Sequence, residues 1–297
     1  MPFKRWRRSV VGLNLLVATL LSAAWRETDT SVGWVEADGP VWLYRFDRAT
    51  SHPSLEPLRI PEGVNLTAAS SAKGPGGIGF QWAQINGVAY PLVAGDSTSP
   101  HGTLSWRDPM IEQLPSGGFI IRQRIDYLHP SGRCDLAEYR DLVISKVGGN
   151  GKYTIDWTSH FTAGAAGATL ADTPEQISGL RLALAAVSPA PEFVSGDDVF
   201  APITDGPTLT RTQGVGTIMF PTRRHPGSVA MLADPRSTNG PQVWIAQPHV
   251  LSAALLHDGP RHLEPGEVWE LSYRIAVRPK YWDRDDMQLE LFRWLQH

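Results

Sequence analysis

From residue 33 onward, apolar and polar positions alternate in short runs, the two-residue period of half-buried β-strands. Residues 33–46 set Trp34, Val41 and Leu43 against Trp42, Tyr44 and Phe46, and Asp38-Gly39 supplies a hairpin turn between the halves. Residues 51–63 are extended and Pro-spaced (His52-Pro53-Ser54-Leu55-Glu56-Pro57-Leu58), which predicts an edge segment or a connection, because proline cannot donate to a sheet ladder. Further strands are predicted over 102–106, 118–127 and 134–147. The clearest covers 153–161, with Tyr153, Ile155, Trp157, Ser159 and Phe161 on one face and Thr154, Asp156, Thr158 and His160 on the other. The pattern continues over 180–187 and gives way to a long loop over 188–205. It returns at 229–232 and 243–246, with a polar loop between them. A Leu263–Glu267 turn feeds a last strand over 268–277. Residues 283–295 are the one predicted helix: Met287, Leu291 and Leu295 recur every four residues and Asp283 can cap the start.

This is an all-β pattern, and no repeat or compositional break divides it. The expectation is one antiparallel β-sandwich domain over 25–297, made of two large stacked sheets, with a short C-terminal helix. Eleven tryptophans suit a sandwich core and a sugar-stacking platform equally. A single cysteine, Cys134, excludes an internal disulfide and a cysteine-based zinc site. At the N-terminus, Lys4, Arg5, Arg7 and Arg8 precede an apolar run from Val10 to Ala24 that ends in Ser22-Ala23-Ala24. That run is shorter than the roughly 20 residues a membrane-spanning helix needs. Residues 1–24 therefore read as a signal peptide for a secreted or periplasmic protein, the alternative being an uncleaved membrane anchor. Its removal would take the formal charge from −3 to −7, and with no basic stripe no nucleic-acid partner is expected.

Several short motifs carry a family resemblance: Trp82 followed by Asn86-Gly87, Thr154-Ile155-Asp156-Trp157-Thr158, Gly179-Leu180-Arg181-Leu182, Asp234-Pro235, Trp244, and Leu263-x-Pro-Gly-Glu267 ahead of Leu271-x-Tyr273-Arg274. Over residues 33–280 the chain resembles an uncharacterised β-sandwich family labelled methane oxygenase. That family's architecture is similar to the galactose-mutarotase-like supersandwich, whose concave sheet binds sugars. The resemblance also implies an Asp-His-x-His-His-Arg-Gly-like loop, and here that loop reads Ser71-Ala72-Lys73-Gly74-Pro75-Gly76-Gly77, with every histidine gone.

Candidate chemistry follows from the polar faces. Arg122, Arg124 and Asp126 share one face of their strand, where they either line a groove or form a solvated surface. Asp156 and His160 share the polar face of theirs, about 13 Å apart, so each needs a partner from a neighbouring strand. His160 or His249, acting with Asp156 or Glu270, is the candidate proton-transfer machinery, because ring opening of a sugar moves protons at two oxygens. Trp82, Asn86, Arg122, Arg124, Arg181 and Trp244 are the candidate ligand-binding residues. His101, His225 and His249 lie in loops without metal-ligand spacing, so neither a metal nor another cofactor is expected. No nucleophilic triad, phosphate loop or dinucleotide fingerprint is present.

The resulting expectation is an exported protein acting on a small-molecule ligand, a carbohydrate, by epimerisation or elimination, as an isomerase or lyase. Two alternatives stay open: a non-catalytic carbohydrate-binding or scaffold protein, and a biosynthetic enzyme for a non-sugar substrate. Oligomeric state is not legible in the sequence.

Overall fold

A computed structural model of the protein describes residues 24–61, 63–70, 76–90, 100–186, 190–195, 200–202, 208–212, 214–220, 226–238 and 242–296. The N-terminal basic and apolar segment up to residue 23, the Ser71–Pro75 part of the emptied loop, and His225 lie outside the described residues. Among the described residues no helix is long and apolar enough to cross a membrane.

The fold is all-β and antiparallel. One nine-stranded sheet runs Ala24–Glu27, Ser31–Glu36, Gly39–Arg45, Ser54–Leu58, Ile78–Gln81, Gly179–Ala183, Val250–Ala254, Gln242–Gln247 and Thr208–Thr212 from edge to edge. The second, ten-stranded sheet runs Phe200–Pro202, Glu192–Ser195, Val215–Phe220, Gly227–Ala233, Val268–Arg278, Tyr153–Ala163, Cys134–Ile144, Phe119–Leu128 and Thr103–Trp106, with Met110–Gln113 along the rest of Phe119–Leu128. Arg261–Leu263, Ala168–Ala171, Gln84–Ile85 and Val88–Ala89 form a separate four-stranded sheet.

The two large sheets stack through the apolar half of the alternating pattern. Phe80 from the nine-stranded sheet meets Trp157, Phe161 and Tyr273 of the other, edge to face, with ring centroids 5.0–6.0 Å apart. The alternation in Phe119–Leu128 and Tyr153–Ala163 reappears as strict alternation of burial. A second apolar layer lies on the opposite face of the ten-stranded sheet. There the C-terminal helix Arg284–Leu295 sets Met287 and Leu291 on Val215, Ala230, Leu232 and Ala276. Asp283 caps it by accepting from Asp286 N at 2.8 Å.

Three elements differ from the sequence pattern. Ser54–Leu58 is an interior strand, not an edge segment: Leu55 and Leu58 are fully buried, and the strand tolerates Pro57 because its pairing is sparse, with a bulge on one side and the single pair Leu55↔Ile78 on the other. The presumed loop over 188–205 contains the strands Glu192–Ser195 and Phe200–Pro202. Burial of Phe193 and Val194 outweighs the Pro- and Gly-rich flanks. The polar loop before Gln242 opens with a one-turn helix, Pro235–Thr238, which Asp234 starts by accepting from Arg236 N.

Candidate functional site

Where the C-terminal helix ends, the outer face of the ten-stranded sheet is open. The pairing registers place Arg124, Tyr139, His160 and Glu270 side by side across four strands. At about 4.8 Å per strand, this row spans roughly 14 Å. Arg124 donates to the Tyr139 hydroxyl at 2.6 Å and to Asp126 at 2.8 Å, and its guanidinium lies 5.2 Å from the centre of the Tyr139 ring. His160 Nδ1 lies 3.5 Å from Glu270 Oε2, with the side chains 39% and 57% exposed. The parallel row is Arg122, Asp141, Thr158 and Ser272. In it Arg122 pairs with Glu112 at 3.3 Å and Asp141 at 3.7 Å.

Beside Glu270 the surface deepens into an open cleft of about 510 Å³, lined by Asp234, Arg236, Ser237, Trp269 and Glu270. The one-turn helix builds its far wall and is clamped to the last strand: Ser272 N donates to Ser237 Oγ at 3.2 Å, Asp234 N to Ser272 O at 2.9 Å, and Trp269 Nε1 to Ser237 O at 3.4 Å. Burial works against a charge on Asp234. The hydrogen bonds and charge of Arg236 outweigh it and hold the carboxyl below the usual carboxylate range. Arg236 itself is 73% exposed and stands at the mouth of the cleft.

The structure thus brings together His160, Glu270, Arg122 and Arg124. Asp156 shares their face but is occupied: Arg274 grips it with two hydrogen bonds at 2.6 and 2.8 Å and reaches Glu290 of the C-terminal helix at 3.2 Å. That ion-pair chain fastens the helix, so Asp156 is a fastening group and does not partner His160. His249 is exposed in the hairpin turn between Gln242–Gln247 and Val250–Ala254, in the other sheet. Arg181 is also in that sheet, on Gly179–Ala183.

Trp82 and Trp244 are core residues, 1% and 0% exposed, and form no outer platform. Trp82 packs edge to face on Phe161 at 5.0 Å. Trp244 fits its ring over Gly216, where an added Cβ would come within 2.8 Å of it. Asn86 is a turn residue with φ 53°. Its amide is spent on Gly167 O and Thr169 N, tying the hairpin to Ala168–Ala171. Among the described residues no group of three or more His, Cys, Asp or Glu gathers in a metal-holding arrangement.

Asp234, Arg236, Ser237 and Trp269 were not singled out as site residues from the sequence. The Asp-Pro pair at 234–235 is a helix-start signal that marks the cleft wall. Nothing in sequence spacing shows that this turn folds back beside Glu270. The chain belongs to a family of unknown function (DUF6807), whose model matches residues 34–291, a span that includes the whole ten-stranded sheet, the nine-stranded sheet except Ala24–Glu27 and the start of Ser31–Glu36, the open face and the cleft. No curated protein matches it.

Proposed function

We propose that the protein is an exported carbohydrate-active protein that binds a small polyhydroxylated ligand on this open face and moves a proton on it, by epimerisation or elimination. The observation that carries the reading is the His160–Glu270 contact at the rim of an open cleft. Because the two side chains touch, they work as one unit from one side of a ligand. The imidazole exchanges the proton, and the carboxylate orients it and stabilises the imidazolium. Arg236, at the mouth of the cleft, spends Nε and Nη2 on Asp234 and offers its remaining guanidinium edge for positioning. A galactose-mutarotase-like use of a broad sheet face fits the same layout.

A second reading, a non-catalytic carbohydrate-binding protein, is favoured by the Arg124–Tyr139 pair, which forms a fixed polar-aromatic platform without His160. The two part in one experiment. Neutral hexoses and their glycosides are screened by polarimetry and NMR with the parent, His160→Ala and Glu270→Gln. Catalysis predicts parent turnover that falls roughly a hundredfold or more in His160→Ala with affinity little changed. Binding alone predicts no turnover in the parent and affinity lost on changing Tyr139. Turnover untouched by both His160→Ala and Glu270→Gln rejects the catalytic assignment.

A further inference from the structure

The C-terminal helix Arg284–Leu295 is apolar on two sides. Met287 and Leu291 face the ten-stranded sheet, and Glu290 beside them is tied to Arg274 at 3.2 Å and to Lys152 at 2.6 Å. With the Asp283 cap at its start, these contacts fix the helix on the sheet, so its outer side is a preformed surface. That side carries Asp285, Leu289, Phe292 and Gln296, all exposed. Their spacing of four, three and four residues draws one stripe along the helix, the spacing of a helix–helix seam. At its centre Leu289 is 44% and Phe292 59% exposed. On a surface helix that meets only water, this is the side that carries polar residues.

Two charges of opposite sign bracket that apolar centre: Asp285 in the first turn and Arg293 in the last. Neither has an ion-pair partner among the described residues, and both are exposed. Their neighbours are committed. Asp286 pairs with Arg278 at 2.8 Å and Lys280 at 3.4 Å, and Glu290 is held as above. The stripe is therefore acidic at one end, basic at the other and apolar between, which makes it complementary to itself turned end for end.

We propose that this stripe is the surface through which two copies of the chain associate, helix against helix and antiparallel, about a two-fold axis near Leu289 and Phe292. In that arrangement the apolar centres cover each other, and the Asp285 end of each helix lies beside the Arg293 end of the other, so both ion pairs form at once. The helix dipoles also oppose, setting each positive N-terminus against a negative C-terminus. A parallel arrangement would bring Asp285 against its own copy and Arg293 against its own. The two-fold uses both stripes up, so the assembly closes as a dimer. The helix has 12 residues and is about 18 Å long. This contact alone falls short of the roughly 1,200 Å² of a stable interface, so the dimer is weak and depends on concentration. The proposal is independent of the chemistry assigned to the open face.

The test is sedimentation velocity of the full chain at low salt, from about 5 to 500 μM, the range of a weak interface. The parent should move from the 32.6 kDa monomer towards twice that mass as concentration rises. Replacing both apolar residues, Leu289→Gln with Phe292→Gln, should weaken association by about tenfold or more. Asp285→Arg and Arg293→Asp should each associate more weakly than the parent when alone. Mixed in equal amounts they should recover a dimer, because only the mixed pair sets opposite charges together at both ends. All four positions are exposed, so these changes leave the fold intact. A parent that stays monomeric throughout, association untouched by the Leu289→Gln/Phe292→Gln change, or no recovery on mixing the charge variants overturns the proposal. Binding of a monomeric parent to phosphatidylcholine vesicles, lost in Leu289→Gln/Phe292→Gln, would give the stripe to a membrane surface and overturns it equally.

Discussion

The strands Cys134–Ile144 and Tyr153–Ala163 carry polar residues on both faces, and the two faces live under different rules. Facing inward, Glu138 and Arg140 are 0% and 2% exposed and grip each other at 2.7 and 2.9 Å. Ser159 and Tyr127 donate the remaining bonds to Glu138 at 2.6 and 3.2 Å, while Arg140 also donates to Pro53 O and the Tyr44 hydroxyl and lies 4.5 Å from the Trp157 ring centre. One residue along each strand, Tyr139 and His160 face outward in the open row. Inside, the desolvated charges survive only because almost every lone pair and N–H has a partner. Outside, water can replace any partner, so the row is free to exchange its contacts for those of a ligand. A polar residue signals function here only where its partners can be exchanged.

Breaking the inner network is the severest test of that contrast. Arg140→Met leaves Glu138 buried without its counter-charge. Urea denaturation should show a loss of about 3–5 kcal/mol, the usual cost of orphaning one member of a buried pair. Adding Glu138→Leu should recover much of it, since an apolar pair of similar volume needs no solvation. A loss below 1 kcal/mol for Arg140→Met would mean that the inner charges are as replaceable as the outer ones.

The next effect is set by pH, through His52. Burial, with Arg140 and Arg181 nearby, depresses its pKa from 6.5 to about 3. Between these values the unfolded chain binds a proton that the folded protein refuses. Stability is therefore full above about pH 6.5 and falls as pH drops towards 3. The contribution approaches about 1.4 kcal/mol per pH unit within that window. Unfolding curves of the parent and His52→Gln at pH 7, 5 and 4 should diverge, the parent losing more as acid is added. Parallel curves would show that His52 takes up its proton equally in both states.

Much of the fold is legible in the alternation. The strand faces of Phe119–Leu128 and Tyr153–Ala163, the antiparallel all-β class and the capped C-terminal helix follow from period-two and period-four spacing, because burial on one face dictates both pattern and structure. The site is legible only halfway. His160, Glu270, Arg122 and Arg124 are marked by face, but alternation within one strand says nothing about register between strands, and register is what sets His160 opposite Glu270. It also does not say which polar face is dry. Glu138 and Arg140 have the same spacing in Cys134–Ile144 as Tyr139 and Asp141, and only the second sheet stacked above them makes the difference. Trp82 and Trp244 mislead for a related reason, since a tryptophan in a strand reads the same whether it is core or platform.

The smallest effect is expected on the outer row, and it sharpens the contrast most. Arg124 is paired with Asp126 and Tyr139 in a half-exposed setting, with side-chain exposures of 38% and 26% for the ion pair. Solvent screens such a pair, and holding a long side chain in place offsets part of the gain, so Arg124→Ala should cost no more than about 0.2–1 kcal/mol in urea denaturation. That cost should shrink further as salt is raised towards 1 M, where the screening length falls to about 3 Å. The Arg140 variant should show little salt dependence, because no water reaches its pair. If the row receives the ligand, the same Arg124→Ala change should weaken binding of the sugar identified by the polarimetric screen while leaving the fold intact. A stability loss comparable to that of Arg140→Met, insensitive to salt, would show that Arg124 is held as tightly as the inner network and that the outer face is not the exchangeable one.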